Sequence, residues 1–235
     1  MSTPQPIRLD PTGQHFARFR HPQPNAETEL IFVRHGQTAA NIAGLLVGRQ
    51  DVLLTDLGHQ QAERAAERVE RMQPESLITS PLQRTLQTAA PIAARTALLP
   101  KVEDDIAEFS FGDFEGWSER EALSAHPHLR PLLRGEAHPD ESWPNGESGT
   151  TFLARVFAGI GRIVANHPDS RVVVVTHGGV IGSFVARMAS ETATSFFPYL
   201  VGNCSISTFS VTSSGTTCIA WNQRDHLDGL FGHER

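Results

Sequence analysis

Two short apolar runs, Leu30-Ile31-Phe32-Val33 and Val172-Val173-Val174-Val175, each lead within two residues to a histidine followed by glycine. Continuous β-branched and aromatic runs of this length read as strands buried on both faces, the pattern of a parallel sheet covered by helices. In such sheets ligands bind beyond the carboxyl ends of the strands, so Arg34-His35-Gly36 and His177-Gly178-Gly179 are delivered to the place where chemistry is done. The glycines permit close backbone approach to a ligand. If the two strands are neighbours, two imidazoles face one pocket with Arg34 beside them. A guanidinium next to a neutral imidazole suits an anionic oxygen substrate, since the fork matches phosphate geometry and the ring can attack or donate a proton.

A third segment adds a second arginine. Leu77 and Ile78 form a short strand, Ser80 is expected to cap a helix, and Pro81 suits its first position. Arg84 then falls in the first turn, where the helix dipole favours an acidic residue, so an arginine there implies an anion between them. Elsewhere Thr55 is expected to cap a helix whose Ala62, Ala65, Ala66, Val69 and Met72 fall on one face. Ser118 and Glu121 form a capping-box pattern, and a longer helix after Ser148 carries the core stripe Phe152, Leu153, Val156, Phe157, Ile160, Ile163 and Val164. Alternating strands and helices predict a three-layer α/β/α sandwich with a mostly parallel central sheet. A hairpin closing at Thr212-Ser213-Ser214-Gly215 adds an antiparallel edge strand.

Five blocks of the chain, in order, resemble the histidine phosphatase superfamily, the group that contains cofactor-dependent phosphoglycerate mutases and many small phosphatases. They are VRHGQTAAN (33 to 41), LLTDLGHQQA (53 to 62), SPLQRTLQTA (80 to 89), EFSFGDFEG (108 to 116) and VVTHGG (174 to 179). The resemblance spans roughly residues 28 to 222. It implies that His35 is a nucleophile accepting the phosphoryl group on a ring nitrogen, and that Arg34, Arg84 and His177 hold the phosphoryl oxygens. It makes Glu108 the general acid for the leaving oxygen and then the base that activates water. Gly36, Thr38, Asn41, Gly48 and Gly178 match positions expected to line the substrate pocket. A route through phosphohistidine splits a difficult hydrolysis into two displacements, and no cofactor or metal ion is expected. The paired histidines of a zinc helix and the carboxylate cluster of a magnesium site are both missing from the sequence.

The remaining composition narrows the partners. A chain of 235 residues with 39% apolar content can bury one sizeable core, and a net charge of −6 gives no electrostatic footprint for nucleic acid. No apolar stretch approaches the roughly 20 residues that span a bilayer. Residues 1 to 27 are polar and proline-rich and are expected to form a loosely ordered soluble extension, leaving 28 to 235 as a single catalytic domain. The partner is then a small phosphorylated substrate, and a homodimer is compatible with everything above. Only two cysteines occur, Cys204 and Cys218. The hairpin register sets Cys218 opposite about Phe209, away from Cys204, which disfavours a disulfide and points to a reducing, cytoplasmic location.

The segment from 108 to 147 decides which chemistry of the family is expected. It holds nine acidic residues against Arg120, Arg130 and Arg134, and the only lysine of the chain is Lys101. The family's mutases resemble one another in holding a second phosphate with a lysine and paired arginines, a pattern this chain lacks. A phosphatase is therefore favoured over a mutase. Phe109, Phe111, Phe114, Trp117 and Trp143 suggest a partly apolar entrance, hence a monoester with an uncharged leaving group. A non-catalytic module that only recognises phosphorylated partners is the third reading, disfavoured because a binder has no need of a nucleophile paired with an acid.

Overall fold

The computed structural model describes residues 13–16, 18–134, 136–189 and 199–231. Its sheet has seven strands: β1 (His15–Phe16), β2 (Glu27–Arg34), β3 (Ser76–Thr79), β4 (Lys101–Val102), β5 (Ser170–Thr176), β6 (Ile206–Thr212) and β7 (Gly215–Gln223), in the spatial order β1-β7-β6-β2-β5-β3-β4. Strands β2, β5, β3 and β4 run parallel, and the β6–β7 hairpin continues the sheet antiparallel from β2. The two apolar runs are indeed neighbours, with Leu30 paired to Val172 and Arg34 to Thr176.

Side chains alternate across each strand, and this period of two sorts the core into two layers. Leu30, Phe32, Val172 and Val174 face one cluster that includes α6 (Gly149–Asn166) and α7 (Gly178–Ala189). Ile31, Val33, Val173 and Val175 face the other, built on α2 (Asp56–Arg71) and α3 (Gln83–Thr96). The result is the expected three-layer α/β/α sandwich. Thr55 caps α2, Ser148 caps α6, and Ser118 with Glu121 forms a complete capping box on α4 (Glu119–Ala125). Cys218 sits opposite Phe209, and both cysteines are free and buried.

Two expectations are corrected. Helix α3 starts at Gln83 after Leu82, not at Pro81, and Ser80 does not cap it. The carboxylate of Asp51 instead accepts the Gln83 amide at 2.6 Å, because the Ser80 hydroxyl is engaged elsewhere. The described part of the N-terminal extension is not a loose arm. Residues His15 and Phe16 pair with Thr217 and Thr216 of β7, and Phe19 packs edge-on against Phe184 and Phe157. An exposed edge strand has unpaired backbone groups, and this short strap pairs with those from Thr216 to Cys218 while burying Phe16 and partly burying Phe19. Residues 1 to 12 lie outside the described residues.

Candidate active site

Strands β2 and β5 end side by side, and their histidines meet beyond the sheet with ring centroids 5.4 Å apart. The His35 amide donates to Thr176 O at 3.0 Å, while the Cys204 and Asn203 donors hold the His35 carbonyl at 3.2 and 3.0 Å. The ring is fixed as tightly as the backbone. His35 Nδ1 lies 2.8 Å from Gly36 O, and a carbonyl can only accept, so Nδ1 carries the proton and Nε2 keeps its lone pair. Burial, reinforced by the Arg84 and Arg34 charges, holds the imidazole well below its usual pKa range and therefore neutral.

His177 is held through its other nitrogen. Its Nε2 lies 2.7 Å from the Ser80 hydroxyl, which is why Ser80 cannot cap α3, and its buried Nδ1 has no hydrogen-bond partner among the described residues. Burial is again the first cause lowering its pKa, followed by the charge of Arg84. The glycine segment after His35 is locked from the helical side. Gly36 N donates to Thr88 at 3.0 Å and Gln37 N to the Gln61 side chain at 2.9 Å. Gly36 faces Gly58 so closely that a Cβ on either would overlap backbone of the other segment.

Arg84 is buried and directs two of its five donors to Gln50 O and Gly48 O at 2.8 and 2.7 Å. Desolvation lowers even this guanidinium, to a pKa of about 10, which leaves it charged at neutral pH. Arg34 donates to Val201 O. Asn41 uses its side-chain carbonyl three times, accepting from Thr38 N, the Thr38 hydroxyl and Asn203 at 3.0, 3.0 and 3.3 Å, so its amide hydrogens remain for the cavity. Glu108 stands across from the histidines, one oxygen accepting from Phe109 N at 2.9 Å and the other from Gly179 N in the first turn of α7 at 3.0 Å.

These groups surround a cavity of about 180 Å³ lined by Arg34, His35, Thr38, Asn41, Gly48, Arg84, Glu108 and Gly178, among others. Nine of the ten residues nominated from sequence thus fall in its wall or, for His177, against the His35 ring. Gly36 is the exception. It lies behind His35, accepting its Nδ1 proton, and does not line the cavity. Phe109 and Phe111 contribute to the entrance, whereas Phe114 and Trp143 are buried in the core and Trp117 is exposed. The sequence reasoning missed Leu45, Leu46, Val47 and Leu200, which supply the rest of the apolar wall. None carries periodicity or motif that singles it out.

The cavity thus brings Arg34, Arg84, His35 and Glu108 together. Residues 30–224 match the family model described as "Histidine phosphatase superfamily (branch 1)". The chain belongs to the histidine phosphatase superfamily, and it is a phosphatase. It is 32% identical over 169 residues to the glucosyl-3-phosphoglycerate phosphatase of Mycobacterium tuberculosis, covering 68% of this chain and 74% of that protein. The metal-independent phosphoserine phosphatase of Arabidopsis thaliana is 28% identical over 206 residues, covering 86% and 84%. Among solved structures, the native mycobacterial glucosyl-3-phosphoglycerate phosphatase superposes with a TM-score of 0.74 at 28% identity, covering 84% of this chain and all of that one. The match to a phosphoserine phosphatase mutant of Entamoeba histolytica bound to phosphoserine gives 0.76 at 26% identity, covering 85% and 99%.

Proposed function

We propose that this protein hydrolyses small, singly phosphorylated monoesters through a phosphohistidine on Nε2 of His35. The observation that carries the reading is the tautomer: Nδ1–H donates to Gly36 O, which leaves the lone pair on Nε2 of a neutral, buried ring that lines the cavity. In the first step Nε2 attacks phosphorus and the bond to the leaving oxygen breaks, with Glu108 supplying its proton. In the second, the Glu108 carboxylate removes a proton from water as it attacks phosphorus, the N–P bond breaks, and phosphate departs. Arg34, Arg84, the orphaned Nδ1 of His177 and the Asn41 amide are the donors for the phosphoryl oxygens, a positioning and electrostatic role that needs no metal ion.

The size and lining of the pocket bear on substrate. Its volume, about 180 Å³, is below the roughly 300–1,000 Å³ of pockets that enclose drug-sized ligands, so the leaving group is small or projects outward. The apolar wall of Leu45, Leu46, Val47, Phe109, Phe111 and Leu200 favours an uncharged portion next to the ester oxygen. Arg120, Arg130 and Arg134 are exposed and line no part of the cavity, which favours hydrolysis over phosphoglycerate mutase activity. Relatives that act on glucosyl-3-phosphoglycerate and on phosphoserine share the single phosphomonoester, although the leaving groups of both carry charge. Residues 28 to 235 act as the catalytic unit in this reading, and two buried free thiols suit the reducing cytoplasm.

Brief mixing with a labelled monoester followed by an alkaline quench tests the mechanism. Label stable to base and released by acid should be found on the native protein and not on His35→Ala. Retention of the label in that variant would remove His35 from the role.

A further inference from the structure

The backbone that carries Glu108 is held from behind by an ion pair outside the cavity. Arg155, on α6, is nearly buried and uses all five of its N–H groups inside the protein. Nε and Nη2 meet the two carboxylate oxygens of Glu147 at 2.7 and 2.8 Å. Nη1 donates to the carbonyls of Asp105 and Ala107 at 2.8 and 2.7 Å, and Nη2 also reaches the carbonyl of Glu108 itself at 2.9 Å. Glu147 completes the frame on the far side: its Oε2 accepts from Ser110 N at 3.3 Å, and its own amide donates to Ser110 O at 3.0 Å. One ion pair therefore grips the backbone before, at and after Glu108, while neither member lines the cavity.

A pair this well buried is a poor device for stability alone, because desolvation cancels much of the Coulombic gain and packed apolar residues would serve as well. It sits, moreover, on a helix face otherwise given to Phe152, Val156 and Ile160. What apolar residues could not provide is five directed bonds that fix one short stretch of chain. Building on the acid–base reading of Glu108, we propose that Arg155 and Glu147 form the positioning pair that sets the Glu108 carboxylate against the leaving oxygen. A displacement of about 1 Å at a reacting group can cost on the order of 10²-fold in rate, so the clamp governs protonation of the leaving group while the phosphate contacts stay intact.

Arg155→Lys, which keeps the charge and loses the fork, and Glu147→Gln, which keeps every donor of Arg155, test this with p-nitrophenyl, phenyl and alkyl phosphates. Proton donation matters little for p-nitrophenol and much for an alkoxide. Both variants should lose about ten-fold or more in kcat/KM on alkyl phosphate and under about three-fold on p-nitrophenyl phosphate, a share of the roughly 10²–10⁴-fold of general acid catalysis. Competitive inhibition by inorganic phosphate should not change. In a Glu108→Gln background the same substitutions should cost nothing further on alkyl phosphate, the signature of residues that act through one another. Equal losses on all three esters, no loss in either variant, or an undiminished further loss in the Glu108→Gln background would overturn the proposal. Should Arg155→Lys fail to fold, Glu147→Gln decides. If Glu108→Gln alone slows all esters equally, the acid role of Glu108 fails first and takes the clamp with it.

Discussion

The two histidines look alike in the sequence, each at the end of an apolar strand and before glycine, yet their neighbours assign them opposite nitrogens. Gly36 O claims Nδ1 of His35, and Ser80 claims Nε2 of His177. In the proposed mechanism one ring keeps its Nε2 lone pair for attack, and the other has an Nδ1 with no partner among the described residues for an oxygen of the substrate. Glycine has an equally specific task at position 179, where a Cβ would overlap Oε1 of Glu108. Gly179→Ala should displace that carboxylate while leaving the arginines in place. We expect a fall of about 10²-fold on alkyl phosphates, in the range of a lost general acid, and a much smaller one on p-nitrophenyl phosphate, checked by steady-state kinetics. Equal loss on both would mean that the pocket as a whole had shifted.

At the scale of elements, helix α3 and the loop from Gly48 to Asp51 hold each other. Asp51 accepts the first amide of the helix, and Arg84 in its first turn holds the loop carbonyls of Gly48 and Gln50. The loop is thus an external cap, and it brings Gly48 into the cavity wall. Asp51→Ala removes the cap and should cost about 1 kcal/mol, the usual value for losing an N-terminal cap, measurable as a shift in the urea midpoint. Because Arg84 loses its ordered loop, the KM for a monoester should rise as well. A stability loss with no change in KM would show that the loop keeps its place without the cap. Helix α6 has a similar double duty, with its apolar stripe serving the core and Arg155 the site.

For the whole molecule, burying two neutral imidazoles ties folding to pH. The folded pKa of His35 and of His177 lies below the unfolded value near 6.5, so the unfolded chain binds the extra protons. Stability is then full above about pH 6.5 and is lost as pH falls through and below that value, at up to about 1.4 kcal/mol per pH unit for each histidine. His226, lowered mainly by burial, adds in the same direction. Chemical denaturation at pH 7, 6 and 5 checks this, and an unchanged midpoint across the series would contradict it. The acidic cover acts on the outside of the site. Glu108 lines the cavity and Glu147 is paired with Arg155; the other seven carboxylates between 108 and 147, against Arg120, Arg130 and Arg134, should penalise a bisphosphate relative to a monophosphate, more so at low salt, since screening acts over about 8–10 Å at physiological ionic strength. Interconversion of 2- and 3-phosphoglycerate outpacing hydrolysis would refute that ranking.

Sequence alone determined five of the seven strands of the sheet, its three layers and most of the residues around the cavity, because buried strands write continuous apolar runs and caps write local motifs. Arg34, His35, Arg84 and His177 were legible because each lies at or just beyond the end of an element, whereas Glu108, one of nine acidic residues in its segment, stood out only through the family resemblance. Tertiary structure decided what depends on contacts between distant segments. Ser80 became a partner of His177 97 residues away and ceded its capping role to Asp51. The N-terminal extension gained a two-residue strand because β7 offered an unpaired edge, a fact no local periodicity records. Arg155 and Glu147 read as ordinary charges, one beside an apolar stripe and one before a helix cap, until folding surrounds them with the carbonyls and amides that flank Glu108. Local propensity is set within a turn or two of chain, whereas the choice of hydrogen-bond partner is made only when the layers close.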